Sequence, residues 1–103
     1  MIYRHGDLLL YPTKKAGKQI YKGEKYVLAY GEITGHKHLL TAEPQTEFEV
    51  YQDEQGNTIL NLKGKGQLTH EEHKKIEILP DTYKVIHEQE YDYAEQEINL
   101  VLD

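Results

Sequence analysis

The chain of 103 residues is the size of one domain, which excludes an enzyme built with a separate cofactor-binding half. It has no cysteine, so disulfides, iron–sulfur clusters and thiolate zinc sites are excluded as well. A net charge of −6, from 12 Lys and Arg against 18 Asp and Glu, runs against the clustered cations that phosphate-backbone binding requires, and general nucleic-acid binding is not expected.

Ile, Leu, Val and Phe supply about a quarter of the chain, above the roughly one-fifth below which a sequence fails to build a core. Residues 1–7 lack the basic start, apolar stretch and small-residue cleavage site of a signal peptide. No apolar run approaches the ~18 residues of a membrane span. A soluble cytoplasmic protein is the expectation.

Apolar residues alternate with period two along most of the chain. Residues 7–11 read as an apolar strand closed by Pro12. Lys14, Lys15, Lys18, Lys22 and Lys25, with Tyr21 and Tyr26 interleaved, form a local basic patch whose ordinary reading is a loop and a strand edge guarded by lysines. Residues 25–31 place Tyr26, Leu28 and Tyr30 on one face and Val27 and Ala29 on the other. Phe48 and Val50 alternate with Glu47 and Glu49, and residues 58–62 return after Asp53-Glu54-Gln55-Gly56-Asn57, a hairpin signal. Ile76 and Ile78 precede a turn at Pro80-Asp81, and Tyr83, Val85 and His87 then share a face. Residues 91–97 are the one helical candidate, and Ile98, Leu100 and Leu102 close the chain as a strand. Eight or more short antiparallel strands with turns between them predict a single all-β domain over residues 1–103, a small barrel or a jelly-roll-like sandwich. Ten strands would be crowded in this length, so some of these segments are expected to be loops. Nine Tyr against one Phe and no Trp predict a core with half-wet margins or an aromatic-lined cavity, because a buried tyrosine needs a partner for its hydroxyl.

Four of the six histidines fall in two short windows, Gly35-His36-Lys37-His38 and Thr69-His70-Glu71-Glu72-His73. Residues two apart on a strand face the same way, so His36 and His38 can converge on one ion at ~2.0–2.1 Å. Gly31 and Gly35 flank the pair and permit a bulge or close backbone approach. Leu68, His70, Ile76 and Ile78 share parity, which sets His70 on the apolar face with His73 joining only if the backbone turns. The expected ligands of a divalent metal (Zn, Mn, Fe or Ni) are thus His36, His38 and His70, with His73 added by a turn. Glu71 and Glu72 are candidates to orient a ligating imidazole or to serve as general base, and Glu43 is a further candidate ligand. The competing reading is plain: solvated loop histidines, and a charged turn at Glu71-Glu72. His5 and His87 read as ordinary structural residues, His87 at most lining the same cavity, and Asp7 as a strand-start residue.

The segment Gly31-Glu32-Ile33-Thr34-Gly35-His36-Lys37-His38, followed by Glu43, resembles the first signature of the cupins, metal-binding jelly-rolls in which His-x-His and a Glu hold one ion. Its glycine stands one residue closer to the His pair than in that pattern, no Gly follows Glu43, and Val85 stands where the second cupin signature places a histidine. A cupin-like fourth ligand would have to come from His70 or His73. Over nearly its whole length the chain is similar to small bacterial and phage proteins of unassigned activity. These share Gly6-Asp7 before an apolar strand, Gly-Glu-x-Thr-Gly-His-x-His, His-Glu-Glu-His, Ile-x-Leu-Pro or a close variant, Tyr83-x-Val85 and Glu90-Tyr91-Asp92; Thr82 stands where glycine is usual. That resemblance implies that both His windows serve one design.

Two classes of function follow from the sequence. One is a metal-dependent hydrolase or phosphodiesterase acting on a small-molecule or nucleotide substrate, with Glu72 or Glu71 as base. The other is a ligand- or protein-binding module whose histidines work without metal; between them lies metal-independent acid/base cleavage of RNA by two histidines. No membrane partner is expected. Oligomeric state is open, although small barrels with unpaired edge strands often form homodimers.

Overall fold

The structure, a computed structural model, describes residues 1–30 and 36–87. Ten strands run in chain order: β1 (Tyr3–His5), β2 (Leu8–Pro12), β3 (Lys18–Gly23), β4 (Lys25–Tyr30), β5 (Lys37–Ala42), β6 (Phe48–Gln52), β7 (Thr58–Leu62), β8 (Gly66–Thr69), β9 (Ile76–Ile78) and β10 (Asp81–His87). The expected helix at 91–97 and closing strand at 98–102 lie outside the described residues, as do Gly31 and Gly35. Among the described residues no helix is long and apolar enough to cross a membrane.

The strands form two antiparallel sheets, ordered β1-β2-β10-β7-β6-β3 and β4-β5-β8-β9. The sheets stay open and pack as a sandwich, so the barrel alternative is set aside. The expectation that some strands would prove to be loops fails, because most strands here are only three to six residues long and ten therefore fit. The chain changes sheet between β3 and β4, β5 and β6, β7 and β8, and β9 and β10. That weaving places residues distant in sequence face to face.

Inward residues from both sheets make one core, including Leu8, Leu10, Leu40, Phe48, Val50, Leu60, Leu68, Ile78 and Tyr83. Alternation sets it up: on β5 Leu40 points in with His38, two residues away, as period two dictates. The 53–57 turn forms as read, with the Asp53 carboxylate accepting the Gln55 and Asn57 amides at 3.0 and 2.8 Å. The lysine-rich segment is β3, at the edge of its sheet. Its Tyr21 ring turns inward against Tyr26 and Phe48, at 5.0 and 6.2 Å. Tyrosine hydroxyls in the core margin find partners as required: Tyr83 donates to the Leu79 carbonyl at 2.7 Å, and Tyr3 accepts the Leu79 amide at 3.1 Å.

Candidate metal centre

The two buried polar side chains among the described residues are His5 and His38, 3% and 1% exposed. Both lie at one end of the sandwich, where three chain segments meet. The first is the β1–β2 hairpin. His5 pairs with Leu8 across the two-residue turn Gly6-Asp7, and Gly6 takes φ +64°, which glycine adopts without cost at the first central position of a tight hairpin turn. The second segment is the start of β5, which carries His36 and His38. The third is the β8–β9 connection, residues 70–75.

Strand register brings the second and third together. Leu39 pairs with Thr69 and Leu40 with Leu68. Carried outward, the same register sets His38 opposite His70, Lys37 opposite Glu71 and His36 opposite Glu72. The contacts agree: the His38 and His70 rings are 4.4 Å apart, the Lys37 amide donates to Glu71 Oε1 at 2.8 Å, and His36 Nδ1 lies 3.5 Å from Glu72 Oε1. Beyond Thr69 the strand stops and residues 71–73 bend, which swings His73 back toward the same spot. His73 ends 4.6 Å from the His70 ring, 5.9 Å from His38 and 5.5 Å from His5.

Five imidazoles thus form one cluster, with the His70 ring in contact with the other four and His38 the most buried member. It contains the four expected from the two windows and adds His5. His87 pairs with Leu8 on the neighbouring strand and makes no ring contact with the five among the described residues. Glu43 lies beyond the far end of β5, roughly 16 Å of strand from His38, with its carboxylate beside Gly64; it is not part of the cluster. Asp7, read as a strand-start residue, instead reaches His38.

Proton accounting on His5 and His38 decides what the cluster can do. His5 Nε2 lies 2.9 Å from the Lys74 carbonyl oxygen, which only accepts, so Nε2 carries the hydrogen. His38 Nε2 lies 3.2 Å from Asp7 Oδ1, again an acceptor. A neutral imidazole has one N–H. The two Nδ1 atoms face each other at 2.9 Å. With the His38 hydrogen on Nδ1 they share an N–H···N bond; with both hydrogens on Nε2 they are two lone pairs that only an added proton or a cation can join. Burial opposes the proton. It pushes the His38 pKa down to about 4, helped by His70 and His5, with Asp7 pulling the other way. Burial also lowers His5, against the Lys74 carbonyl and with His73 and His70.

In metal-free protein these downward shifts set a pH dependence. The unfolded chain takes up the protons first, so this stability is fully present above about 6.5 and is lost as pH falls toward 4. For His38 the shift corresponds to on the order of 3 kcal/mol. The urea midpoint should fall steadily across that window, and a flat midpoint would contradict the burial of a neutral dyad.

His5, His38 and His73 form a triangle of ring centroids with sides of 5.0, 5.5 and 5.9 Å. Three imidazoles on one ion at ~2.0–2.1 Å place their centroids roughly 5 Å apart, near these separations, with His73 exposed to solvent where His5 and His38 are buried. Gly6 is part of this fit, because a Cβ there would stand 2.5 Å from His73 Nε2. Gly6→Ala combines that clash with a strained positive φ, costing about 1–2 kcal/mol. A lowered urea midpoint together with at least tenfold weaker metal binding is the expected outcome, and an unchanged metal affinity would place His73 outside the centre.

Toward solvent lies a second group. One donor atom each from His36, His70 and Glu71 all fall within 4.8 Å of one another. This rim opens onto a concavity of about 230 Å³ lined by Lys37, Leu39, Thr69, His70 and Glu71. Glu71 is held below the usual carboxylate range chiefly by the Lys37 amide.

The family model of a domain of unknown function, DUF8820, matches residues 4–88, which takes in all six histidines and, Tyr3 of β1 apart, every strand among the described residues. The chain belongs to the DUF8820 family. No curated protein and no solved structure matches it significantly. The matched span of this DUF8820 domain takes in His5 and Asp7 together with both His windows.

Proposed function

We propose that this DUF8820 domain is a divalent-metal protein whose ion sits among His5, His38 and His73 and serves hydrolysis of a small phosphoester, a nucleotide among them. The observation that carries the reading is the pair of Nδ1 atoms facing each other at 2.9 Å, with an acceptor beside each opposite ring nitrogen. A ligating imidazole characteristically gives its other N–H to a carboxylate or a backbone carbonyl, and Asp7 and the Lys74 carbonyl stand in those places. Such donors suit Zn, Mn, Fe and Ni alike. The net charge of −6 raises the local cation concentration.

When bound, the ion polarises a phosphoryl oxygen and acidifies a water. The chain's own groups do the rest. Glu72, exposed at the rim, would take the proton from the attacking water as its oxygen bonds to phosphorus, and would return it to the leaving-group oxygen as that P–O bond breaks. Lys37 offers a positive charge to the phosphate.

Elemental analysis of protein grown with Mn, Fe, Ni and Zn, followed by turnover of bis-p-nitrophenyl phosphate and cyclic nucleotides with and without chelator, tests both halves. Retained metal with chelator-sensitive turnover supports the reading. Retained metal with no turnover of any phosphoester assigns a binding module, and protein that takes up no divalent ion overturns the metal centre itself.

A further inference from the structure

We infer that the cluster holds two divalent cations, the second at the rim on His36, His70 and Glu71, and that this rim ion with Lys37 receives the phosphate of the ligand. The inference rests on the metal reading above and extends it. A neutral imidazole has one lone pair, so each ring serves a single ion. The geometry divides them. His5, His38 and His73 close the inner triangle, and the His36 and His70 rings, 5.5 Å apart, stand at the spacing of rings sharing an ion, with Glu71 as third donor. Glu71 is set for this by the Lys37 amide on one oxygen, which leaves the rest of the carboxylate to face the histidines. The His38 and His70 rings touch at 4.4 Å and form the shared wall between the two sites.

The rim is where a ligand can enter. The inner histidines His5 and His38 are buried, whereas His70 and Glu71 line the open concavity beside Lys37, Leu39 and Thr69. That lining combines a rim cation, an ammonium and an apolar side chain, which suits a phosphate carrying an apolar or aromatic group. Paired ions clamping the two sides of a phosphoryl group are a recurring solution to phosphoester chemistry.

One detail supplies an independent readout. His70 Nδ1 accepts the Glu72 amide hydrogen at 3.0 Å, so an ion binding that lone pair must displace it. Titrating the full chain with Mn2+ or Zn2+ by calorimetry and elemental analysis should give two ions per chain. His36→Ala and Glu71→Gln should each reduce this to one, with the first site's affinity within threefold of the parent. With Zn2+, the Glu72 amide resonance should move during the second equivalent and not the first. Inorganic phosphate should bind the two-ion form at least tenfold more tightly than the one-ion form, and Lys37→Ala should remove most of that gain. A single ion unaffected by the rim variants overturns the second site and leaves the inner centre standing. A single ion lost only in the rim variants overturns both the pair of ions and the inner assignment, and no ion at all removes the metal reading with it.

Discussion

Stripping the divalent ion with a chelator is expected to lower the melting temperature by about 15 °C or more. Binding to the folded state alone stabilises by about 4 kcal/mol when free metal stands a thousandfold above its dissociation constant. In a domain of this size each kcal/mol is worth ~4–8 °C. The effect would be large because the proposed ion would join His5 Nδ1 and His38 Nδ1, which face each other at 2.9 Å, and would be bound by the folded chain alone. Differential scanning calorimetry of loaded, stripped and reloaded protein checks it. A change below about 2 °C, with metal occupancy verified, would mean that the histidine cluster is satisfied without an ion.

His38→Ala is expected to be the most damaging single histidine replacement. His38 is the most buried of the five, 1% exposed and in ring contact with His5, His70 and His73. Truncation leaves a cavity at the end of the sandwich, costing about 3 kcal/mol even without metal. It would also remove one of the three proposed inner ligands, so metal affinity should fall by more than a hundredfold. His36→Ala provides the contrast, since that ring sits at the rim beside Glu72 and its loss should cost under about 1 kcal/mol. Urea titrations of the stripped variants, paired with metal titrations of the same samples, separate the two effects. Equal destabilisation by both replacements would contradict the buried position of His38.

The all-β class was legible because period two runs through residues such as Phe48 and Val50, and Ile76 and Ile78, without help from distant contacts. The hairpin at 53–57 was equally local, its turn held by Asp53 bonding to amides two and four residues on. The expectation of eight or more strands holds, with ten among the described residues; the shortest, such as β1, owe their pairing to neighbours in the sheet and carry little periodic signal of their own. Meeting of the two His windows was readable as a possibility from parity and spacing, and the β5–β8 register made it specific. The role of His73 hinged on whether residues 71–73 bend, which a parity rule for a continuous strand cannot tell.

His5 and Asp7 passed as ordinary residues, although His5-Gly6-Asp7 did carry a signal: a glycine suited to a tight turn, flanked by a metal-ligating type and a carboxylate. What composition and alternation determined unaided was a small acidic all-β domain with histidines in two windows, because short-range pattern governs which face of a strand is buried. The pairing of a turn near residue 6 with strands near 38 and 70 was decided by the sandwich alone. Sheet-to-sheet crossings bring those segments together, and only there do desolvation and fixed hydrogen-bond partners gather five separate imidazoles into one packed cluster.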